Sequence, residues 1–419
     1  MRTNKKLSVI LGVVLLGTVI SLPSYANNLD VALQNEINTY VAKYSAAEGD
    51  SAVQVSVLLP GELTPRDYVA GKQMKEASTP ATTSMMMQWG SITKEFTSLL
   101  LFQYLNKHPG SFSLDSTLFE MLPERFDSDD NAWPDAWKTI TIKQLMNMTS
   151  GIPDYLDLPT FDMYRITDLS SIVDQAATYQ NRRGCQPAIG CFPAGTNWNY
   201  SNTDYIILGM MVEKLYGENF AAVIQEQILH AMQQTGNHVV YQTPYTPETL
   251  QNMINGYSIN QWHFVIAAGE NVTNVNLNLA ASAGALTGST HALVNIIHGL
   301  FHDQFLPHDP MQQFLNSGWV RTDNHQLIDI NSDLAKQVCT KQSPCFGLGF
   351  MIAYEPIYGQ DWEYEGGTPG FTTDYMWLPQ ENVVIGISRN GGNGAPSEFA
   401  GLRNDVQQIV YQYLHPGKK

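Results

Sequence analysis

Apolar positions recur with a helical period near both ends of this chain. After a long apolar run at residues 7–22, the spacing predicts a first helix, with apolar positions at Leu29, Leu33, Ile37, Val41 and Tyr44. The same spacing predicts a last helix, with apolar positions at Leu402, Val406, Ile409, Val410 and Leu414. We therefore expect the folded part of the chain to begin and end with a helix.

Strand-like patterns lie beside these two helices. Residues 52–59 are strand-like, with Val53, Val55 and Val57 on one face, and residues 67–71 can form their hairpin partner across a Pro/Gly turn. Two further strand-like runs cover 375–378 and 383–387, whereas the patterns from about 86 to 340 are mostly helical with long loops. The predicted fold class is α/β (α+β): an antiparallel sheet flanked by the terminal helices, with an inserted and mostly helical domain.

The predicted sheet domain is discontinuous, because its strands come from both ends of the chain. Its segments are 27–85 and 341–419, and the helical domain between them is 86–340. Ligand sites favour such domain interfaces, so we expect the functional site at the seam.

The first 26 residues have the pattern of a secretory signal peptide. Arg2, Lys5 and Lys6 precede the apolar run, and Ser24-Tyr25-Ala26 offers small residues for cleavage before Asn27. The alternative is an uncleaved anchor, but the run is short for a membrane span and is interrupted by Gly and Ser. We expect a secreted or periplasmic bacterial protein with no stable membrane insertion after cleavage.

Charge and composition limit the classes of partner. The 419-residue chain is 43% hydrophobic, which fits a globular protein. Without residues 1–26 it has 20 basic and 39 acidic residues, a net charge near −19. This acid excess disfavours binding to nucleic acid or to an anionic membrane surface.

A serine precedes a lysine by three residues at Ser91-Ile92-Thr93-Lys94, and an apolar helical pattern follows. This spacing places an amine beside a hydroxyl on one helix face. A serine hydroxyl becomes a good nucleophile when a neighbouring base takes its proton, and a lysine whose charge is disfavoured can be that base or can tune it. The motif alone also fits an ordinary surface helix, so other segments must decide.

Two later segments carry compatible chemistry. Tyr200-Ser201-Asn202 follows a Pro-Ala-Gly turn and precedes a helical pattern, so its phenol is expected on a loop held by ordered structure. A nearby ammonium favours the phenolate, which can accept and return a proton. The third segment, Tyr364-Glu365-Gly366-Gly367, precedes two strand-like runs, and its glycines allow close backbone approach to a ligand.

Together these segments resemble the serine β-lactamase and penicillin-binding-protein superfamily. The resembling branch comprises class C β-lactamases, D-Ala-D-Ala carboxypeptidases and related esterases and D-aminopeptidases (peptidase S12 type). The resemblance implies the β-lactamase/transpeptidase-like fold and no cofactor. It implies that Ser91 is acylated, Lys94 tunes it, Tyr200 is the general base and acid, and Asn202 binds the substrate amide. The oxyanion would be held by the N–H groups of Ser91 and Gly367.

One departure from the family pattern concerns the substrate. Relatives usually carry Lys-Thr-Gly or His-Thr-Gly where this chain has Tyr364-Glu365-Gly366, which we place among the substrate-binding residues. The cation and hydroxyl that relatives offer to a substrate carboxylate are therefore missing from the motif. If Glu365 faces the cleft, it repels an anion by roughly 1 kcal/mol in water and by several in a drier site. The alternative is that Glu365 points away from the cleft.

The four cysteines form two closely spaced pairs. In an exported protein these predict two local disulfides, Cys185–Cys191 and Cys339–Cys345. A zinc site is the weaker alternative, because Cys-x5-Cys is not a usual ligand spacing. His298 and His302 are four residues apart but lack the glutamate of a zinc helix, so we predict helix histidines and no metal.

The leading functional hypothesis is an exported serine hydrolase that acts through a Ser91 acyl-enzyme on small esters or amides. Its substrate would be a small molecule or peptide, with peptidoglycan fragments among the candidates. One alternative is a D-Ala-D-Ala carboxypeptidase or a class C-like β-lactamase. The alternative from another class is a protein that binds penicillin or peptidoglycan without turnover.

Overall fold

The structure is a computed structural model. It describes residues 23–48, 52–127, 133–157, 168–178, 185, 190–234, 238–241, 244–258, 269–391 and 396–417. Most of the predicted signal peptide, residues 1–22, lies outside the described residues. Among those that are described, no helix combines the length and apolar character that a membrane span requires.

The strands form a large and a small antiparallel sheet. In chain order they are β1 (Ala52–Leu58), β2 (Arg66–Gly71), β3 (Met87–Gln88), β4 (Val239–Tyr241), β5 (Leu286–Gly288), β6 (Val320–Arg321), β7 (Cys345–Phe346), β8 (Met351–Glu355), β9 (Gly359–Thr368), β10 (Phe371–Leu378) and β11 (Val383–Asn390). Within the described residues, the large sheet has the order β2-β1-β11-β10-β9-β8-β7-β6 and the small one β3-β5-β4. The two ends of the chain meet where β1 pairs with β11, with Val55 opposite Ile387.

The helices pack on both faces of the large sheet. They are α1 (Pro23–Glu48), α2 (Thr93–Lys107), α3 (Leu118–Met121), α4 (Ile142–Met146), α5 (Leu169–Thr178), α6 (Asn202–Tyr216), α7 (Phe220–Ile224), α8 (His230–Gln234), α9 (Pro247–Gln251), α10 (Ala281–Gly284), α11 (Thr290–Phe301), α12 (His308–Asn316), α13 (Asp333–Val338) and α14 (Pro396–Leu414). The predicted terminal helices are α1 and α14.

One face of the sheet is covered by these two terminal helices. Their apolar positions pack on alternate residues of β1 and β11, which form a separate core with members such as Leu33, Val55, Ile387 and Val406. The predicted shared face of Val53, Val55 and Val57 is confirmed, since all three are fully buried in this core. A polar contact adds to the packing of α14, because Arg403 lies 2.9 Å from Glu363 of β9 and 3.0 Å from Asp374 of β10.

The helical segments cover the other face of the sheet. Helices α2, α6 and α11 share the main core with the inward side chains of β9, β10 and β11. Helix α2 is enclosed by this core, so that residues 93–103 are buried on every side. Strand β6, at residues 320–321, joins the large sheet although it lies within the range predicted for the helical domain. The domain boundaries given above stay a prediction.

Candidate active site

Ser91 lies in a tight turn at the seam between α2 and the sheet. The turn covers Gly90–Ile92 and leads directly into α2. Gly90 has a φ of +55°, and a Cβ at this position would lie 2.7 Å from the backbone N of Gly367. A residue with a side chain would therefore be both strained and obstructed here, and glycine lets the turn contact β9. The expectation of a helix that starts near Ser91 is met.

The Lys94 amine lies one helical turn from Ser91, as the spacing predicts. Its Nζ donates to Ser91 Oγ at 3.0 Å, to Asn202 Oδ1 at 2.9 Å and to the Ala283 carbonyl at 2.8 Å. The residue is fully buried. Burial disfavours the ammonium and lowers the pKa of Lys94 to about 7, although the attraction of the Asp154 carboxylate opposes this shift. Near neutral pH, a large share of Lys94 is thus an uncharged amine.

The Tyr200 hydroxyl is the second group on the Ser91 oxygen. Its Oη–H donates to Ser91 Oγ at 2.6 Å, while Tyr364 donates to Tyr200 Oη at 3.3 Å. Burial raises the pKa of Tyr200 to about 12, although the hydrogen bonds with Ser91 and Tyr364 oppose this shift. Tyr200 is therefore protonated at neutral pH. Ser91 Oγ thus receives one hydrogen bond from an amine and one from a phenol.

The loop that carries Tyr200 is held by backbone hydrogen bonds to the segment after α4. Gly195 N donates to the Thr149 carbonyl at 2.8 Å, and Cys191 N donates to the Gly151 carbonyl at 2.8 Å. Beyond the loop, Ser201 caps α6 by accepting from Asp204 N. The structure contains both predicted disulfides, Cys185–Cys191 at the start of this loop and Cys339–Cys345 beside β7.

Strand β9 approaches Ser91 with its backbone. A Cβ added at Gly366 would lie 2.8 Å from Ser91 N and would also clash with the Trp89 carbonyl. Because Gly366 and Gly90 both lack a side chain, the Ser91 turn and residues 366–367 come into direct backbone contact. The two N–H groups predicted for an oxyanion hole, those of Ser91 and Gly367, belong to these touching segments, and both residues line the same cavity.

Tyr364 and Glu365 have different surroundings, because side chains alternate between the faces of a strand. Tyr364 is buried and points to Tyr200. Glu365 falls on the face of Glu363, whose carboxylate contacts Arg403. Its side chain is exposed, and the residue borders the cavity at its rim. The predicted substrate-binding motif thus places a phenol inside the site and a carboxyl group at its edge.

The cavity at Ser91 has a volume of about 410 Å³. Three tyrosines contribute to its wall, and much of the remainder is apolar, with Leu156, Leu277, Leu279, Ala280, Ala283, Met351 and Pro369. Among the described residues that line it, Glu365 carries an acidic side chain and there is no lysine, arginine or histidine. Lys94 is buried behind the wall, where its ammonium form donates to Ser91, Asn202 and Ala283.

Asp154 is a residue whose role the sequence motifs did not suggest. Its carboxylate accepts from Asn202 Nδ2 at 3.0 Å and from Leu156 N at 3.0 Å. The residue is 4% exposed, and burial raises the pKa of Asp154 to about 6. The one sequence signal was an acid in the otherwise uncharged stretch from Thr149 to Leu156. Asn202, predicted to bind a substrate amide, thus already has partners on both ends of its own amide.

A family model described as Beta-lactamase matches residues 37–408. This chain belongs to the Beta-lactamase family. This match confirms the predicted membership of the serine β-lactamase and penicillin-binding-protein superfamily. It also confirms, at the level of the family, that the chain is a serine hydrolase.

Curated relatives of this β-lactamase-family chain include two penicillin-binding proteins. Penicillin-binding protein 4* of Bacillus subtilis (strain 168) is 25% identical over 318 residues, which cover 74% of this chain and 62% of that protein. Penicillin-binding protein 4 of Amycolatopsis lactamdurans is 27% identical over 175 residues, which cover 42% of this chain and 41% of that protein. The chain thus spans less than two thirds of the length of either relative.

Solved structures confirm the predicted fold class of this family member. D-amino acid amidase from Ochrobactrum anthropi SV3, complexed with D-phenylalanine, matches with a TM-score of 0.69 and 18% identity, over 93% of this chain and 100% of that one. β-Lactamase/D-alanine carboxypeptidase from Pseudomonas syringae matches with a TM-score of 0.66 and 16% identity, over 91% and 98%. At this level of identity the likeness shows a shared fold.

Proposed function

We propose that this protein hydrolyses small esters or amides through an acyl-enzyme on Ser91. The observation that carries the proposal is the arrangement at Ser91 Oγ, which lies within hydrogen-bond distance of Lys94 Nζ (3.0 Å) and Tyr200 Oη (2.6 Å) and lines the 410 Å³ cavity. A hydroxyl that lies beside a depressed-pKa amine and opens into a cavity meets the requirements of an activated nucleophile.

The buried amine supports Lys94 as the base for acylation. Serine attack requires a group that is unprotonated at working pH, and the pKa values of about 7 for Lys94 and about 12 for Tyr200 favour the lysine. In this step Ser91 Oγ bonds to the substrate carbonyl carbon, and its proton passes to Lys94 Nζ. The carbonyl oxygen becomes an oxyanion, for which the N–H groups of Ser91 and Gly367 are the candidate donors.

Tyr200 then fits the role of general acid. As a protonated phenol it gives its proton to the departing alcohol or amine when the tetrahedral intermediate collapses to the acyl-enzyme. The resulting phenolate recovers the proton that Lys94 took up, since Tyr200 Oη and Lys94 Nζ both lie within hydrogen-bond distance of Ser91 Oγ, at 2.6 and 3.0 Å. Water then attacks the acyl-enzyme. Lys94, neutral again, takes a proton from the water and returns one to Ser91 Oγ when the bond to the acyl group breaks. This assignment departs from the family expectation that Tyr200 is the base.

The cavity wall supports a preference for substrates without a carboxylate. A bound carboxylate needs cations or several donors to offset its desolvation, and the described lining offers no cationic side chain. An uncharged substrate with an apolar group fits the leucine and alanine wall, and a cationic one is favoured by Glu365 at the rim. We therefore place esters and amides of this kind first, and D-amino acid amides belong to this class because they carry an ammonium and no carboxylate.

The alternatives make different demands on the site. A D-Ala-D-Ala carboxypeptidase or a class C-like β-lactamase acts on carboxylate-bearing substrates, which would need donors other than those of Tyr364 and Glu365. A protein that binds without turnover would be labelled once at Ser91 and would release no product. We also propose export from the cell, which the two disulfides support because such bonds persist in oxidising compartments.

A side-by-side screen tests the proposal. The purified protein is assayed with a neutral chromogenic ester, a D-amino acid amide, a D-Ala-D-Ala peptide and a chromogenic cephalosporin, with Ser91→Ala as the control. We expect turnover of the first two and loss of that turnover in Ser91→Ala. Equal turnover by Ser91→Ala refutes the acyl-enzyme, and a higher kcat/KM for the D-Ala-D-Ala peptide or the cephalosporin refutes the substrate class.

A further inference from the structure

Two buried side chains, Lys94 and Asp154, and the half-buried Asn202 form a hydrogen-bonded line behind the Ser91 hydroxyl. Lys94 Nζ donates to Asn202 Oδ1 at 2.9 Å, and Asn202 Nδ2 donates to Asp154 Oδ2 at 3.0 Å. The Asn202 amide therefore connects a carboxylate to the amine that contacts Ser91. Asp154 is not among the residues that line the cavity, so it acts on the reaction from behind the residues that do, through its hydrogen bond to Asn202 and through its charge, which is felt by Lys94 and Tyr200.

The two elements that carry this line are held together at several points. Asp154 precedes Tyr155, whose backbone N donates to Thr203 Oγ1 at 2.9 Å, and Thr203 Oγ1 in turn donates to the Pro153 carbonyl at 2.7 Å. Thr203 follows Asn202 in the first turn of α6, so these bonds fix Asp154 relative to the amide. The distance between the Asp154 carboxylate and the Asn202 amide is thus set by these bonds between backbone groups and the Thr203 hydroxyl, and it does not depend on Lys94.

The carboxylate determines which end of the Asn202 amide faces Lys94. An ionised carboxylate only accepts hydrogen bonds, so Asn202 must present its NH₂ group to Asp154 and its oxygen to Lys94. The carbonyl of Ala283 is a second fixed acceptor for the amine. A neutral amine has two N–H groups and one lone pair. With both N–H groups bound to Asn202 and Ala283, the lone pair is left to face Ser91 Oγ.

We propose that Asp154 is a positioning residue which, through the Asn202 amide, keeps the lone pair of the neutral Lys94 amine directed at Ser91. The proposal rests on the proposed function, because it concerns the base of that reaction. A reversed amide would present its NH₂ group to Lys94, and the lone pair would then turn from Ser91 to Asn202. Asp154 thus selects the one amide orientation that leaves the base free to act.

The charged and titratable groups around this line are known from the structure. Those that act on Lys94 are Asp154, Tyr200 and Tyr205. Lys94 and Asp157 act on Asp154, which in turn acts on Tyr155, Tyr200 and Asp204. The neighbouring Glu95 on α2 is fully buried and accepts from Tyr375 at 2.5 Å, and burial raises its pKa well above the ordinary range. Asp154 is therefore the carboxylate whose removal changes the field at Lys94.

The test uses two variants of the full chain, assayed for kcat, KM and pH dependence on an uncharged chromogenic ester. Asp154→Asn keeps the size of the side chain but can also donate, so the orientation of the Asn202 amide is no longer enforced. We expect kcat to fall at least tenfold with KM within about threefold, because substrate binding does not involve Asp154. The acid limb of kcat/KM should move to lower pH, because Lys94 loses an attracting anion.

The exchanged double variant Asp154→Asn with Asn202→Asp contains the same set of atoms and tests the proposal if the single variant does not fold. It again presents an oxygen acceptor to Lys94, so kcat should exceed that of Asp154→Asn. Because a carboxylate now contacts the amine directly, its acid limb should move to higher pH than in the wild type. The two variants thus have opposite expected shifts, which a purely structural role of Asp154 does not produce.

Two controls separate the possible failures. Asp157→Asn removes a neighbouring carboxylate that acts on Asp154 but lies outside the line from Asp154 through Asn202 to Lys94, and its kcat should stay within twofold of the wild type. Wild-type kcat in Asp154→Asn, an equal loss in Asp157→Asn, or an unmoved acid limb in the exchanged variant overturns the proposal. Retained turnover in Ser91→Ala instead overturns the proposed function, which keeps the two failures distinct.

Discussion

The pH dependence of acylation provides the sharpest test of the base assignment. If the neutral Lys94 amine takes the Ser91 proton, kcat/KM for an uncharged ester follows the unprotonated fraction of that amine. Burial lowers the pKa of Lys94 from 10.5 to about 7. At pH 7 this shift increases the neutral fraction by roughly a thousandfold, which corresponds to about 5 kcal/mol of differential interaction. The site therefore makes a lysine usable as a base near neutral pH.

The expected profile has a rising acid limb and a plateau. Between pH 6 and 7 the rate should rise by about fivefold, because the neutral fraction of a group with a pKa of about 7 grows from roughly a tenth to a half, and above about pH 8 it should level off. Below pH 6 the slope should be smaller. Asp154, with a pKa of about 6, becomes protonated there, and the loss of its charge makes it easier for Lys94 to lose a proton. Because Lys94 and Asp154 interact, the midpoint of the acid limb is an apparent pKa of the coupled pair and not of Lys94 alone.

The assay measures initial rates on a neutral chromogenic ester at concentrations well below KM, from pH 5 to 9. Aliquots held at each pH and returned to pH 7.5 control for inactivation, and Ser91→Ala gives the background hydrolysis. A rate that still rises between pH 8 and 9 would assign the base to a group of higher pKa, such as Tyr200. A flat profile would mean that no titrating base limits acylation, and either result refutes the reasoning.

Three further predictions use different measurements. A fluorophosphonate probe should label Ser91 alone and leave Ser91→Ala unlabelled, and peptide mapping that finds the adduct elsewhere contradicts the assignment. Tyr200→Phe should lower kcat by about two to four orders of magnitude for a poor leaving group, the usual range for a proton-transfer group, while Tm stays unchanged. Tyr364→His with Glu365→Thr should shift the ratio of kcat/KM values at least tenfold towards carboxylate-bearing substrates over neutral esters, which corresponds to about 1.4 kcal/mol. An unchanged ratio would mean that Tyr364 and Glu365 do not determine the preference against carboxylates.

The sequence was most informative where chemistry depends on local geometry. The contact between Ser91 and Lys94 follows from the helical repeat, and the position of Tyr200 follows from a turn and a helix start that lie within a few residues of it. The terminal helices and the strands beside them were equally visible, because their apolar period shows which face is buried. These features involve short separations along the chain, where backbone geometry leaves few alternatives.

Contacts between distant segments could not be predicted in the same way. The hydrogen bond from Tyr364 to Tyr200 joins residues 164 positions apart, and the one from Asn202 to Asp154 depends on how α6 packs against a loop. The face of β9 that carries Glu365 depends on strand register, which shifts every side chain to the opposite face when it slips by one residue. For these reasons Asp154 was missed, and the direction of Glu365 stayed open until the strand pairing was known.

One replacement, Tyr364 in the third motif, affects both the base and the substrate. The resemblance implies a cation at this position, which would favour the Tyr200 phenolate and would also attract a substrate carboxylate. Here a neutral phenol donates to Tyr200 at 3.3 Å and leaves it protonated at neutral pH. In the mechanism that we propose, the loss of the cation therefore leaves Lys94 as the base, and it also removes a binding partner for carboxylates. Tyr364→His should therefore change the pH profile and the substrate preference together. If the choice of base and the preference against carboxylates had separate causes, one could change without the other.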